Sequence, residues 1–224
     1  MDKVNIPADP VRREYARLAS VYDEKWRFYN EATARATLDR IEVAGTERVL
    51  DAGCGTGNLI LSLRQRWPLL KCWGVDLCGE MLEVGKAKLG VAGGRLPLVQ
   101  GRAERLPFAE GSFDLVISCN SLHFVPNPAQ ALSEFRRVLR PEGRLLVTDW
   151  CDDYLTCRLC SFLLRLCGKD HGRLLRREEL EVFLGASGFS VEGVHTFKIN
   201  WLWGLMTVSA SAKRPASPPR RFLT

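Results

Sequence analysis

The stretch VLDAGCGTGN, Val49 to Asn58, sets Gly53, Gly55 and Gly57 directly after an apolar run that carries a single acid, Asp51. A glycine-rich turn from strand to helix lets backbone approach a ligand closely. The first turn of the helix then offers unpaired N–H groups and the positive end of its dipole. The same glycines also suit an ordinary tight turn. The GxGxG spacing is shorter than the GxGxxG of dinucleotide sites. A second acid narrows the choice: Asp76 closes the apolar run KCWGVDL, 19 residues after Gly57. An acid there can accept hydrogen bonds from both ribose hydroxyls of an adenosine, or it can cap the following helix. Loop and acid together point to an adenosyl ligand.

Further polar groups follow two later apolar runs. After FDLVISCN come Cys119, Asn120, Ser121 and His123; after GRLLVTDW come Asp149, Trp150, Asp152 and Asp153. His123 is the candidate general base, because an imidazole titrates near neutrality; packing beside the ligand is its other reading. Asp149 either orients a base or substrate or caps the next segment. His171, in the basic loop GKDHGR, reads as surface, and His195, inside a late strand, as structural.

Alternating strands and helices must position these groups. RVLDAG, KCWGVDL, PLVQGRA, FDLVISCN and GRLLVTDW are apolar enough for strands covered on both faces. NLILSLRQRW, GEMLEVGKAKLG and PAQALSEFRRVLR read as the intervening helices, with Gly90 a C-cap and Pro128 in a first turn. This order argues for a parallel sheet with helices on both faces. Residues 10–42 precede it as an N-terminal helical extension, with Tyr15, Leu18, Ala19 and Tyr22 at helical spacing and a second helix over 30–41. After the fifth strand, 151–175 form a helical insert, and RREELEVFLGASG is a further helix. FSVEGVHTFKI and LWGLMTVSASA are strands joined by a short turn, so the last is antiparallel: seven strands in all. One domain spans 1–212. Residues 213–224 form a basic, Pro- and Ser-rich tail that reads as disordered.

The 224 residues are 46% hydrophobic and 26% charged, as in a globular protein with one substantial core. The start of the chain carries no leader-like apolar run, and no stretch is long enough to span a bilayer, so a cytoplasmic location is expected. Much of the net charge of +6 lies in the tail. No aromatic residues interleave its charges, which points away from nucleic acid as a partner. The eight cysteines sit inside apolar patterns and read as reduced core thiols. Cys157 and Cys160, with Cys151 and Cys167, could hold a soft metal or metalloid. The helical spacing favours a packing face, so no metal is assigned.

Four segments, VLDAGCGTG, GVDLCGEML, GRAERLPFAEGSFDLVIS and FRRVLRPEGRLLVTDW, cover about 48–150 in order. With them the chain resembles the class I S-adenosylmethionine-dependent methyltransferases, of the small-molecule type similar to the ubiquinone and menaquinone biosynthesis enzymes. The resemblance implies a Rossmann-like seven-stranded α/β fold and S-adenosyl-L-methionine as cofactor. By position it implies that the loop from Asp51 to Gly57 holds the methionine moiety, that Asp76 binds ribose and that Leu77 packs on adenine. Ala103 and Glu104 would meet the adenine edge. Arg102 stands where relatives have an acid, and arginine cannot accept a bond from the adenine amino group. Cys119 stands where many carry Asn. Tyr22 would close over the cofactor, or with Tyr15 form a core stripe.

Methyl transfer from a sulfonium needs alignment and exclusion of water more than acid–base chemistry, and alignment can supply roughly 7–11 kcal/mol. The acceptor expected is a small apolar or aromatic molecule, covered by the N-terminal helices and the 151–175 insert. Leu155, Leu159, Phe162, Leu163 and Leu166 form an apolar surface on that insert, suited to such an acceptor or to docking against the sheet. A nicotinamide oxidoreductase, a methyltransferase acting on RNA or on a cysteine-held metalloid, and a non-catalytic cofactor-binding scaffold are the competing readings. Oligomeric state and acceptor identity are not legible.

Overall fold

The computed structural model describes residues 10–91, 97–166 and 172–213. His171, Cys167 and all of the basic tail beyond Lys213 lie outside them. The seven strands are β1 (Arg48–Ala52), β2 (Lys71–Asp76), β3 (Leu98–Gln100), β4 (Phe113–Cys119), β5 (Leu139–Trp150), β6 (Phe189–Lys198) and β7 (Gly204–Ala212). They make one sheet in the order β3-β2-β1-β4-β5-β7-β6. β1 through β5 pair in parallel, and β7 runs antiparallel to both its neighbours. Strand order reverses between β1 and β4, which opens a crevice beyond their carboxyl ends, the place where open α/β sheets bind ligands.

The period-two alternation of side chains explains why these runs are apolar throughout. Leu50, Val116, Leu145 and Val147 enter the core on one face. Val49, Leu115, Ile117 and Leu146 enter the core on the other. Helix α6 (Pro128–Val138) covers the first face through Ala131, Leu132, Phe135 and Val138, spaced three and four apart. Its start is fixed by Pro128 and by Asn127, whose side chain accepts a hydrogen bond from Gln130 N at 3.1 Å. Helix α4 (Asn58–Arg66) buries Leu59, Ile60 and Leu63 on the second face.

The N-terminal extension is three helices, α1 (Pro10–Leu18), α2 (Tyr22–Lys25) and α3 (Arg27–Leu38). A hydroxyl ladder joins α3 to the sheet. Thr37 Oγ1 donates to Thr148 Oγ1 at 2.8 Å, and Thr148 lies 3.0 Å from Thr207 Oγ1. The remaining helices are α5 (Gly79–Val91), α7 (Leu155–Leu166) and α8 (Arg177–Ala186).

Three expectations are corrected. The second N-terminal helix starts at Arg27, three residues before Asn30. Strand β5 begins at Leu139, because α6 ends at Val138 and Glu142 takes a left-handed φ of 66° to turn the Pro141-Glu142-Gly143 segment into line with β4. Gly90 does not cap α5: the helix continues to Val91. A Cβ at Gly90 would meet nothing within 4 Å, and its φ is not left-handed. Gly90→Ala is therefore expected to stabilise the fold by about 0.5–1 kcal/mol in urea unfolding. A left-handed capping glycine would give destabilisation instead.

Candidate functional site

The crevice beyond β1, β2 and β4 is a cavity that gathers most of the residues marked in the sequence. Its wall contains Tyr22, Asp51, Gly53, Gly55, Asp76, Leu77, Ala103, Glu104 and Cys119. Gly57 does not reach the wall; it caps α4 in a left-handed conformation, φ 76°. His123 does not reach it either, so the structure does not bring the expected base to the cavity.

Gly53 explains why the loop needs glycine. Its φ is +83°, and a Cβ there would sit 2.3 Å from Ser121 Cβ. The loop is pulled onto the sheet by hydrogen bonds from Gly53 N and Cys54 N to Val75 O, at 2.7 and 3.1 Å. Asp76 completes the attachment, accepting from Gly55 N and from Cys78 N, both at 2.8 Å. Both readings of Asp76 therefore meet in one residue. It ties down loop and helix start, and as a two-oxygen acceptor lining the cavity it keeps capacity for ligand hydroxyls.

Asp51 is only 2% exposed, and among the described residues no hydrogen bond reaches its carboxylate. Burial, and then the negative charge of Asp76, push it up to about 8. Asp76 is also raised by burial, against the lowering effect of its backbone hydrogen bonds. A cation entering the cavity would meet an acid that gives up its proton readily in exchange for a charge partner.

The lid over this cavity comes from the N-terminal helices. Val11, Arg12, Tyr15 and Tyr22 line it from above, and Asn30, Thr33 and Ala34 from α3. Tyr15 and Tyr22 pack together at 5.8 Å between centroids, over Cys78 and Met81. They are thus both core stripe and cavity wall. Asp23 fastens the lid: its Oδ1 accepts from Thr56 Oγ1 at 2.6 Å and from Asn58 Nδ2 at 2.8 Å. Lys88 Nζ donates to its Oδ2 at 2.7 Å. Burial raises the Asp23 carboxyl, but these three donors outweigh it and hold it below the usual range.

The far wall follows β4. Asn120 adopts a left-handed φ of 55° and aims its amide at two partners. It accepts from Tyr29 Oη at 2.8 Å and donates to Thr33 Oγ1 at 2.9 Å. Phe124, Val125 and Pro126 extend this wall as an apolar patch. Cys119 lies 3.5 Å from Thr37 Oγ1, and burial pushes its thiol up to about 12, so it is a neutral packing group.

His123 is 7% exposed and held beneath this wall. Its Nδ1 lies 2.5 Å from Asp149 Oδ1, and its backbone N donates to Asp149 Oδ2 at 3.0 Å. Trp150 stacks on its ring. Asp149 thus orients His123 and also accepts from Trp150 N at 2.8 Å. The pair braces the β4 and β5 ends. His195 is exposed on the sheet edge beside Phe197, remote from the cavity.

Arg102 and Glu104 both line the cavity, with Arg102 Nε 3.8 Å from Glu104 Oε2. The arginine that departs from the family pattern therefore holds an acid two residues on. Cys151 and Cys157 follow the packing reading, Cys160 is half-buried, and Cys167 lies outside the described residues. Cys157 is buried against Gly204 and Leu202, Cys151 is pushed up to about 12 by burial, and no metal-binding group of three or more ligands occurs among the described residues.

A family profile described as a methyltransferase domain matches residues 50–147, the loop, Asp76, the Arg102–Glu104 segment and strands β4 and β5. Residues 50–147 are a class I methyltransferase domain. The ubiquinone/menaquinone biosynthesis C-methyltransferase UbiE of Syntrophotalea carbinolica is 36% identical over 154 residues, 67% of this chain and 65% of that protein. A malonyl-[acyl-carrier protein] O-methyltransferase of Laribacter hongkongensis is 38% identical over 155 residues, 65% of this chain and 52% of that protein. The chain spans between about half and two thirds of the length of these curated relatives. Among solved structures, a chain of the complex between the Haloferax volcanii Trm112 methyltransferase activator and a putative methyltransferase superposes with a TM-score of 0.77, at 18% identity, over 90% of this chain and 98% of that one. This likeness establishes the Rossmann-like methyltransferase fold.

The cofactor of this class is S-adenosyl-L-methionine, and the residues of the methyltransferase domain fit it. Asp51 is a buried acid to which no hydrogen bond runs among the described residues, as would suit an ammonium partner; the cradle at Gly53 has no room for a Cβ; and Asp76 stands one strand away.

A pH dependence follows from the two raised carboxyls. The folded chain keeps protons that the unfolded chain has released, so stability is full below the unfolded carboxylate range and is lost as pH rises from about 4 through about 8. The urea midpoint is expected to fall between about pH 5 and about pH 7.5, and Asp51→Asn is expected to flatten most of that fall. An unchanged slope in the variant would remove Asp51 as its source.

Proposed function

We propose that this chain is an S-adenosylmethionine-dependent methyltransferase acting on a small apolar or aromatic acceptor. One observation carries the reading: a buried acid, Asp51, and a half-buried one, Asp76, converge with a glycine cradle in a single cavity at the β1/β4 switch point. The cofactor supplies an activated methyl on a sulfonium sulfur. Asp51 would accept the ammonium of its methionine part, Asp76 its ribose hydroxyls, and Leu77 and Ala103 would flank adenine. Glu104, steadied by Arg102, would take the adenine amino group that Arg102 cannot accept.

The acceptor side is read from the apolar wall of Tyr15, Phe124, Val125 and Pro126. No imidazole lines the cavity among the described residues. Burial holds Tyr15, Tyr22 and Cys119 protonated. The acceptor must then bring an atom already nucleophilic, such as the electron-rich carbon of an activated ring, as the C-methyltransferase name of the UbiE relative suggests. His123 holds the wall in place and moves no proton in this scheme.

Calorimetric titration checks the cofactor. S-adenosylmethionine should bind, NADH should not, and Asp76→Asn should weaken binding at least tenfold, about 1.4 kcal/mol or more. Preferential binding of NADH would overturn the class. For the acceptor, a cell extract incubated with methyl-labelled cofactor should carry label in its organic-soluble small molecules. Label confined to RNA would overturn the acceptor class.

A further inference from the structure

Helix α7 turns its apolar face outward. Leu155, Leu159, Phe162, Leu163 and Leu166 are 51–76% exposed, whereas Cys157 on the opposite side is buried against β7 and the turn before it. The expectation that this face docks on the sheet is therefore wrong. Nor do the described residues of α7 line the cavity, so the structure does not bring this face to the expected acceptor side.

Two neighbouring features belong to the same end of the molecule. The turn between β6 and β7 touches α7 through Leu202 and carries Trp201, 78% exposed. Beside Phe162, a second cavity is lined by Arg158, Arg173 and Arg176, with Asp152 and Glu179 as counter-charges. Arg173 and Arg176 pair with Glu179 and Asp152, whereas Arg158 has no ion pair with an acid among the described residues. α7 itself contains two arginines and no acid.

We propose that this face is a docking surface for an anionic lipid bilayer. An amphipathic helix with Leu and Phe on one face and Arg at its margin lies stably at the boundary between acyl chains and headgroups. An exposed Trp beside it suits the same boundary, with its ring in the apolar layer and its N–H in the polar one. The charge decides against the other occupants. A second copy would bring the arginines of α7, a helix without acids, against themselves, and like charges facing each other oppose association. A partner peptide calls for a groove, and a convex helix offers none. No helix among the described residues is long and apolar enough to cross a membrane, so the contact is peripheral. The face adjoins the catalytic end: Arg173 N, just after α7, donates to His123 O at 2.8 Å, and Phe124 lines the cavity.

Sedimentation of the full chain with lipid vesicles tests this. The protein should partition onto vesicles of phosphatidylcholine with phosphatidylglycerol at least tenfold more strongly than onto phosphatidylcholine alone, with the preference screened away by salt. Phe162→Ser with Leu163→Ser should weaken partition at least tenfold, while the thermal midpoint and S-adenosylmethionine affinity stay unchanged. Arg158→Glu should weaken it at least fivefold. Three results would each overturn the proposal: no partition onto either vesicle; wild-type partition by the double variant, which would assign binding to the basic tail; or self-association in sedimentation velocity that Phe162→Ser abolishes.

Discussion

Two carboxyl groups held at neighbouring strand ends, Asp51 buried and Asp76 half-buried, are the constraint on which the cavity depends. Asp51 lies one residue before the end of β1, opposite Gly74 of β2, and Asp76 ends β2 two residues further on, so the parallel register brings both acids to the same end of the sheet. Burial makes each reluctant to ionise, and the charge of Asp76 makes Asp51 more so. A free chain tolerates this only by keeping a proton. In the proposed function an adenosyl ligand with an ammonium group and two ribose hydroxyls would satisfy both at once, whereas a pyrophosphate would be repelled by both acids.

The rest of the domain serves that arrangement. The sheet's two-sided core fixes the strand ends, and the glycine loop is pinned to β2 through Val75 O and the Asp76 carboxylate. The Asp23–Lys88 clasp holds the tyrosine lid over the loop. On the other side, the Asp149–His123 pair and the Tyr29–Asn120 hydrogen bond stiffen the ends of β4 and β5. No imidazole lines the cavity among the described residues, and in the proposed function the chemistry rests on positioning the acceptor and excluding water.

Much of this was legible in the sequence, because period-two apolar runs, glycine punctuation and the Asp51-to-Asp76 spacing are local signals. Gly57 and His123 were misplaced for a shared reason: a residue next to a site in sequence need not face it. Gly57 turns its backbone to cap α4, and the His123 ring is drawn down to Asp149, a partner 26 residues away. Asn120 was noted only as a neighbour of Cys119; its left-handed backbone is a property no residue pattern displays, although Asn is the residue type that tolerates it. Asp23 was missed because its partners, Thr56, Asn58 and Lys88, lie on other elements. The α7 face shows the opposite limit. Helical periodicity reveals that a stripe is apolar, and only the fold reveals that nothing in the described chain covers it.

The buried-acid account is tested most directly by the protons exchanged when cofactor binds. Calorimetry of S-adenosylmethionine binding near neutral pH, repeated in buffers of different ionisation enthalpy, counts them. With Asp51 raised to about 8 in the free chain, the wild type should release about one proton as the acid ionises against the incoming ammonium, and Asp51→Asn should release almost none. Equal proton counts in the two proteins would contradict the account.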